Sequence, residues 1–159
     1  MNTKFQNLLN LIFQRLSSVF LYTLPLKASI PFGYYLFYKY SFLNVLKFII
    51  LPVAIIEESL PLGGLLFFLI LFAGLVRNPN APYFIRYNAC QSLLLYISLI
   101  IISYLLRILS ISLLGSIISF LGSIVFLFTL CIFIYSISQC IYGVEPEIPF
   151  ISKSVRMQI

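Results

Sequence analysis

From Ile108 to Val144 the chain carries not one charged side chain, and another 20 uncharged residues separate Arg86 from Arg107. A helix needs about 20 apolar residues to cross a hydrocarbon core of about 30 Å, so both stretches read as membrane spans. With 62% hydrophobic and only 9% charged residues, the chain also has too little polar surface to enclose a water-soluble core. The expected fold is all-α, an integral membrane protein, with residues 1–159 forming a single membrane domain because no polar stretch is long enough for a second.

Four transmembrane helices are expected, with an amphipathic helix at the N-terminus and a short interfacial helix. Phe5, Leu8, Leu9, Ile12, Phe13 and Leu16 fall at helical spacing opposite Lys4, Asn7, Asn10 and Arg15, which predicts an amphipathic helix over 2–16. Span 1 covers 16–38, with Lys27 as its only charge before Lys39 and with Pro25 and Pro31 bending it. Residues 42–56 are apolar but short and contain Pro52, so they read as interfacial or re-entrant. Span 2 covers 60–76, within the 18 uncharged residues between Glu58 and Arg77. Asn78-Pro79-Asn80-Ala81-Pro82 is a tight polar loop. Span 3 covers 86–107, a turn follows near 110–115, span 4 covers 115–142, and 143–159 form a polar tail. Four spans put both termini on the side of the Arg77/Arg86 loop. That side then carries Lys4, Arg15, Lys153 and Arg156 as well, against Lys39, Lys47 and Arg107 opposite, which the positive-inside rule assigns to the cytosol-equivalent compartment.

The ten Lys and Arg are scattered singly, so they leave no nucleic-acid footprint. Histidine is absent and the four carboxylates are Glu57, Glu58, Glu145 and Glu147, an inventory that argues against catalysis, a metal site or a cofactor. Cys90, Cys131 and Cys140 lie in apolar stretches without C-x-x-C spacing and read as small buried hydrophobes. Lys27 reads as a snorkelling lysine or as a charge facing a wet cavity.

The remaining polar groups fall into two sets. Asn88, Gln91 and Ser92 follow Arg86 at spacings that place them on one helical face, while Tyr135, Gln139 and Tyr142 share a face of the fourth span. Facing lipid would be costly, so Arg86, Asn88, Gln91, Ser92, Tyr135 and Gln139 either hold helices together or border a partner or a hydrated path. Gly115, Ser119 and Ser123 form a small-residue stripe suited to helix packing.

Arg77-Asn78 followed by Tyr83-Phe84-Ile85-Arg86-Tyr87-Asn88-Ala89-Cys90-Gln91 resembles the signature of the Tic-twenty family, small membrane subunits of the translocon at the inner envelope of chloroplasts. Tyr22-Thr23-Leu24-Pro25 leading to Pro31-Phe32-Gly33, and Gly143 to Ser152 with Gln158, agree in the same order along nearly the whole chain. Lys27 departs from the pattern, in which a small or acidic residue would follow Leu-Pro-Leu. The resemblance implies four helices with both termini in the stroma of a plastid and a role in preprotein import. Its implied partners are other translocon membrane subunits, translocating preproteins, membrane lipid and further copies of the chain. The N-terminus lacks the pattern of a transit peptide, which would fit a plastid-encoded algal version. Four helices, each about 10 Å across, fill their own centre, so a conducting path would need several copies or partner subunits. A structural assembly subunit and a small-solute transporter are the rival readings, and no internal repeat favours the latter.

Overall fold

The computed structural model describes residues 3–110 and 115–159, and every element among them is helical. The turn expected near 110–115 falls largely on 111–114, outside the described residues, as does the first residue of the expected amphipathic helix.

The first helix, α1 (Thr3–Ser29), runs without a break through Leu16, where the sequence reading placed a boundary between an amphipathic helix and span 1. Polarity changes at that point but backbone preference does not, since no Gly or Pro lies between Thr3 and Leu24. Pro25 lies inside the helix, and the chain leaves α-helical geometry only at Ile30–Gly33, a 3-10 turn holding Pro31. Proline disfavours helical geometry in the residue before it and cannot donate a backbone hydrogen bond, so 16–38 is not one span. A short helix, α2 (Tyr34–Lys39), follows the turn.

After a second 3-10 turn at Ser41–Asn44 comes α3 (Val45–Ser59), then α4 (Gly64–Leu71), which passes into a π-helical turn at Phe72–Val76. The two arms, Ser41–Ser59 and Gly64–Val76, are bent by 101° at the intervening turn. At 1.5 Å per residue Gly64–Val76 reaches about 20 Å, short of a core of about 30 Å. The expected span 2 is therefore half of a broken element whose other half is α3.

The two longest apolar stretches become α5 (Tyr83–Leu109) and α6 (Gly115–Tyr142), both long and apolar enough to cross a membrane. Counting the bent pair as one span brings the number to three, against the four expected. The helix that falls short is α1, which has the length but carries Lys4, Asn7, Asn10, Arg15 and Lys27.

Both α5 and α6 pack on α1, and only weakly on each other. Tyr22 and Lys27 of α1 stand beside Asn88 and the Tyr96–Glu57 contact in that order, so α1 and α5 run parallel. Arg15 meets Ile141 while Phe32 meets Gly122, so α6 runs back. A Cβ on Gly122 would lie 3.0 Å from the Phe32 carbonyl oxygen, which makes this glycine the close-approach point between α6 and the Pro31 turn. The core centres on Leu24, Tyr87, Ala89 and Cys90, with Tyr22 and Leu26 on one flank and Phe126 against Phe37 on another.

The C-terminal residues are not a free polar tail. At the end of α6, Gly143 takes φ +76° and its N–H bonds to the Cys140 carbonyl, while the Val144 N–H reaches the Gln139 carbonyl, the left-handed termination that glycine favours. Arg15 donates to the Ile141 carbonyl at 3.0 Å, placing a cation at the negative end of the helix. The chain then returns to the bundle through buried Pro146 and Ile148, and α7 (Ile151–Arg156) buries Val155 against α5.

Candidate functional site

The polar residues that open α5 converge on one buried network. Pro82 precedes the first helical residue, and Asn78 steadies the loop before it by accepting the Asn80 N–H at 3.0 Å. From that start the 3.6-residue repeat puts Asn88, Gln91 and Ser92 on the face turned to α1, and all three are fully buried. The Tyr22 hydroxyl lies 3.0 Å from Asn88 Oδ1 and 3.2 Å from Gln91 Oε1, so its single hydrogen is shared between two amide oxygens. Asn88 Nδ2 donates to the Phe84 carbonyl at 2.7 Å, and the Cys140 thiol of α6 reaches Asn88 Oδ1 at 3.4 Å.

Gln91 carries the network to the C-terminal segment. Its Nε2 donates to the Pro146 carbonyl and to Ser152 Oγ, each at 3.2 Å, and the Tyr87 hydroxyl donates to the same Pro146 carbonyl at 3.2 Å. Ser152 Oγ in turn accepts the Ile148 N–H at 2.7 Å. Three helices and the C-terminal segment are thus tied through neutral groups. A buried hydrogen bond nets about 1 kcal/mol, but stranding one partner costs about 1–3 kcal/mol, so the network resists piecemeal change.

A second cluster lies deeper along α5. Lys27 Nζ is 2.8 Å from Glu57 Oε2, and the Tyr96 hydroxyl donates to Glu57 Oε1 at 3.3 Å. Tyr96 stands about 15 Å along the helix from both Arg86 and Arg107, close to the middle of the uncharged stretch. Lys27, the lone cation of its apolar stretch, is therefore matched by a carboxylate from α3. A Cβ on Gly64 would collide with both the Tyr96 hydroxyl and Glu57 Oε1, so a larger residue at the start of α4 would push these two side-chain ends out of their contact. Among the described residues no group of three or more His, Cys, Asp or Glu side chains could hold a metal ion.

The family described as Chloroplast import apparatus Tic20-like matches residues 10–155, which contain both clusters. The chain belongs to this Tic20-like family. It is 31% identical over 97 residues to a Tic20 family protein of Synechocystis, covering 58% of this chain and 61% of that one. It is also 33% identical over 96 residues to Protein TIC 20-II, chloroplastic, of Arabidopsis thaliana, covering 60% of this chain and 46% of the relative. The chain thus spans about half the length of these curated relatives.

In this Tic20-like chain the residues singled out from sequence do not form one surface. Arg86 is half-buried and its Nε donates to the Val76 carbonyl at 3.2 Å, tying α5 to the π-helical turn. Ser92 bonds its own helix, at the Ala89 carbonyl. Tyr135 is exposed and its hydroxyl accepts the Glu147 N–H at 3.3 Å, while Gln139 is half-buried. No hydrogen bond among the described residues joins Asn88 or Gln91 to Tyr135 or Gln139, and the link between the pairs runs through Pro146 and Glu147. Gly115 and Ser119 are exposed within this chain and only Ser123 is buried; the close helix approach is at Gly122, one position off the expected stripe. The reason is the rotation of α6, which turns Gly122, Phe126 and Phe133 inward.

Sequence reasoning quoted Tyr22, Pro146 and Ser152 only as parts of the family resemblance and did not place them in the first cluster, and it did not bring Glu57 and Tyr96 together in the second. Lys27 held the one usable signal, because a lone cation in an apolar stretch calls for a carboxylate and only four exist.

Proposed function

We propose that this chain is a membrane subunit of the protein-import apparatus in the inner envelope membrane of a plastid, with α1 crossing the bilayer beside α5 and α6 as a fourth span and both termini on the stromal side. In this reading it borders the route of preproteins together with partner subunits. The observation that carries the reading is the family match across residues 10–155. The charge distribution supports the orientation, with Arg77, Arg86, Lys153 and Arg156 at one end and Lys39, Lys47 and Arg107 at the other.

The packing argues that a route runs beside the molecule and not through it. Tyr22, Tyr87 and Phe126 are fully buried between the helices, and Asn88 and Gln91 are spent on internal bonds. Of the polar residues singled out from the sequence of α5 and α6, that leaves Tyr135 and Gln139 as the outer positions able to face a passing chain. The burial of Asn88 and Gln91 also favours a second reading, an assembly subunit that recruits partners without touching the preprotein.

Photo-crosslinking from probes at Tyr135 and Gln139 to a preprotein arrested during import separates the two. The route-bordering role predicts adducts that disappear when the preprotein is chased through, whereas persistent adducts to membrane partners alone would leave the assembly role.

A further inference from the structure

Two cavities border Arg107. One, of about 630 Å³, opens between α2, α5 and α6, with Tyr34, Tyr35 and Tyr38 on one wall and Leu106 and Ile118 beneath. The other, of about 360 Å³, reaches inward to Lys27, Glu57 and Tyr96. Pro31, Ser103 and Arg107 border both, so they are two halves of one groove running from the ion pair to the end of α5.

The charges in this groove do not cancel. Lys27 is paired with Glu57 at 2.8 Å, while Arg107 is exposed and has no ion-pair partner among the described residues, which leaves a surplus of one positive charge. Tyr34, Tyr35 and Tyr38 are 79%, 54% and 85% exposed, and their hydroxyls have no hydrogen-bond partner among the described residues. Arg107 follows 20 uncharged residues counted from Arg86, a separation of about 30 Å along the helix that matches one hydrocarbon thickness. A guanidinium at that depth meets lipid headgroups, and its planar fork matches a phosphate or sulfonate bidentately.

We propose that this groove is a binding site for one anionic lipid, with its headgroup on Arg107 and the tyrosine hydroxyls and its apolar part over Phe32, Leu106 and Ile118. A plain belt of interfacial tyrosines would be indifferent to headgroup charge; the unpaired cation in a recess makes this one selective.

The test uses the full chain in nanodiscs of phosphatidylcholine with a graded fraction of phosphatidylglycerol, followed by native mass spectrometry of the lipids retained on extraction. The expected result is one phosphatidylglycerol held per chain in preference to phosphatidylcholine and not displaced by excess inorganic phosphate. Arg107→Gln lowers that retention about fivefold or more, Arg107→Lys lowers it less, and Lys153→Gln at the opposite end leaves it unchanged. Equal retention of the two lipids, or undiminished retention in Arg107→Gln, overturns the proposal. Displacement by inorganic phosphate also overturns it, since the site would then take a free anion. Arg107→Lys keeps the charge, so a loss as complete as that of Arg107→Gln, together with altered helicity, would mark the residue as structural and reject a lipid role.

Discussion

The half of the bundle around Tyr22 and the half around Lys27 face the same demand, that polar groups among apolar helices find partners, and they meet it with different chemistry. Around Tyr22 the groups are neutral and fully buried, and the C-terminal segment supplies the last acceptor through the Pro146 carbonyl. Around Lys27 the groups are charged, partly exposed and bordered by a cavity, with side-chain exposure of 24% for Lys27 and 12% for Glu57. Neutral networks tolerate a dry site because nothing in them needs solvation, whereas a charge pair keeps a large desolvation cost and sits more easily beside open space. The first half is built to stay shut; the second ties the broken α3–α4 element, itself packed through Val53 and Phe67, to α1 and α5 by one ion pair and one hydrogen bond.

The difference predicts graded responses to substitution. Glu57→Gln should be the most damaging, because it leaves the Lys27 ammonium without a counter-ion; breaking a buried pair costs about 3–5 kcal/mol, and the partial exposure of Lys27 puts this case near 3. Combining Lys27→Met with Glu57→Leu should cost less than either change alone, read by reversible unfolding in detergent, and strict additivity would remove the coupling. Gln91→Leu should cost about 2 kcal/mol by removing the bonds to the Pro146 carbonyl, Ser152 Oγ and the Tyr22 hydroxyl, although each of these keeps another partner. Its distinguishing effect is a freed C-terminal segment, seen as faster tryptic cleavage at Lys153 and Arg156. A change confined to the α3–α4 half would leave that cleavage rate alone.

Gly64→Ala is expected to cost about 1–2 kcal/mol, since the new methyl must displace the Tyr96–Glu57 contact. Pairing it with Glu57→Gln should give less than the sum. Smallest of all, Arg156→Gln removes exposed pairs to Glu147 at 2.8 Å and Glu145 at 3.9 Å and should leave the unfolding midpoint unmoved at moderate salt. A clear loss there would show that the C-terminal segment is held by its charges and not by Gln91.

How much of this was legible beforehand depends on sequence distance. The face shared by Asn88, Gln91 and Ser92 follows from helical spacing alone, and α5 and α6 from the absence of charge. Tyr22 stood out only as part of the family resemblance, and its place in the network was hidden because its partners are 66 and 69 residues away. The docking of the C-terminal segment was hidden for another reason: its key acceptor is the Pro146 backbone carbonyl, which every residue type possesses. Both prolines were expected to bend the first span, yet Pro25 lies inside α1 and the chain leaves α-helical geometry only at the turn that holds Pro31. The expected fourth span does not stand out by length and composition, because α1 mixes its apolar face with five or more polar side chains along one continuous helix.

The central claim is that Asn88 and Gln91 fasten the fold internally while any contact with a passing chain falls on the outer face near Gln139. Labelling with a membrane-impermeant maleimide tests it most directly, using single cysteines at Gln91 and Gln139 in a chain whose three native cysteines are replaced, during active import. The account predicts modification at position 139 and protection at position 91, with the protection unchanged by an arrested preprotein. Rapid labelling at position 91 that a preprotein blocks would contradict it and put the polar face of α5 on the route itself.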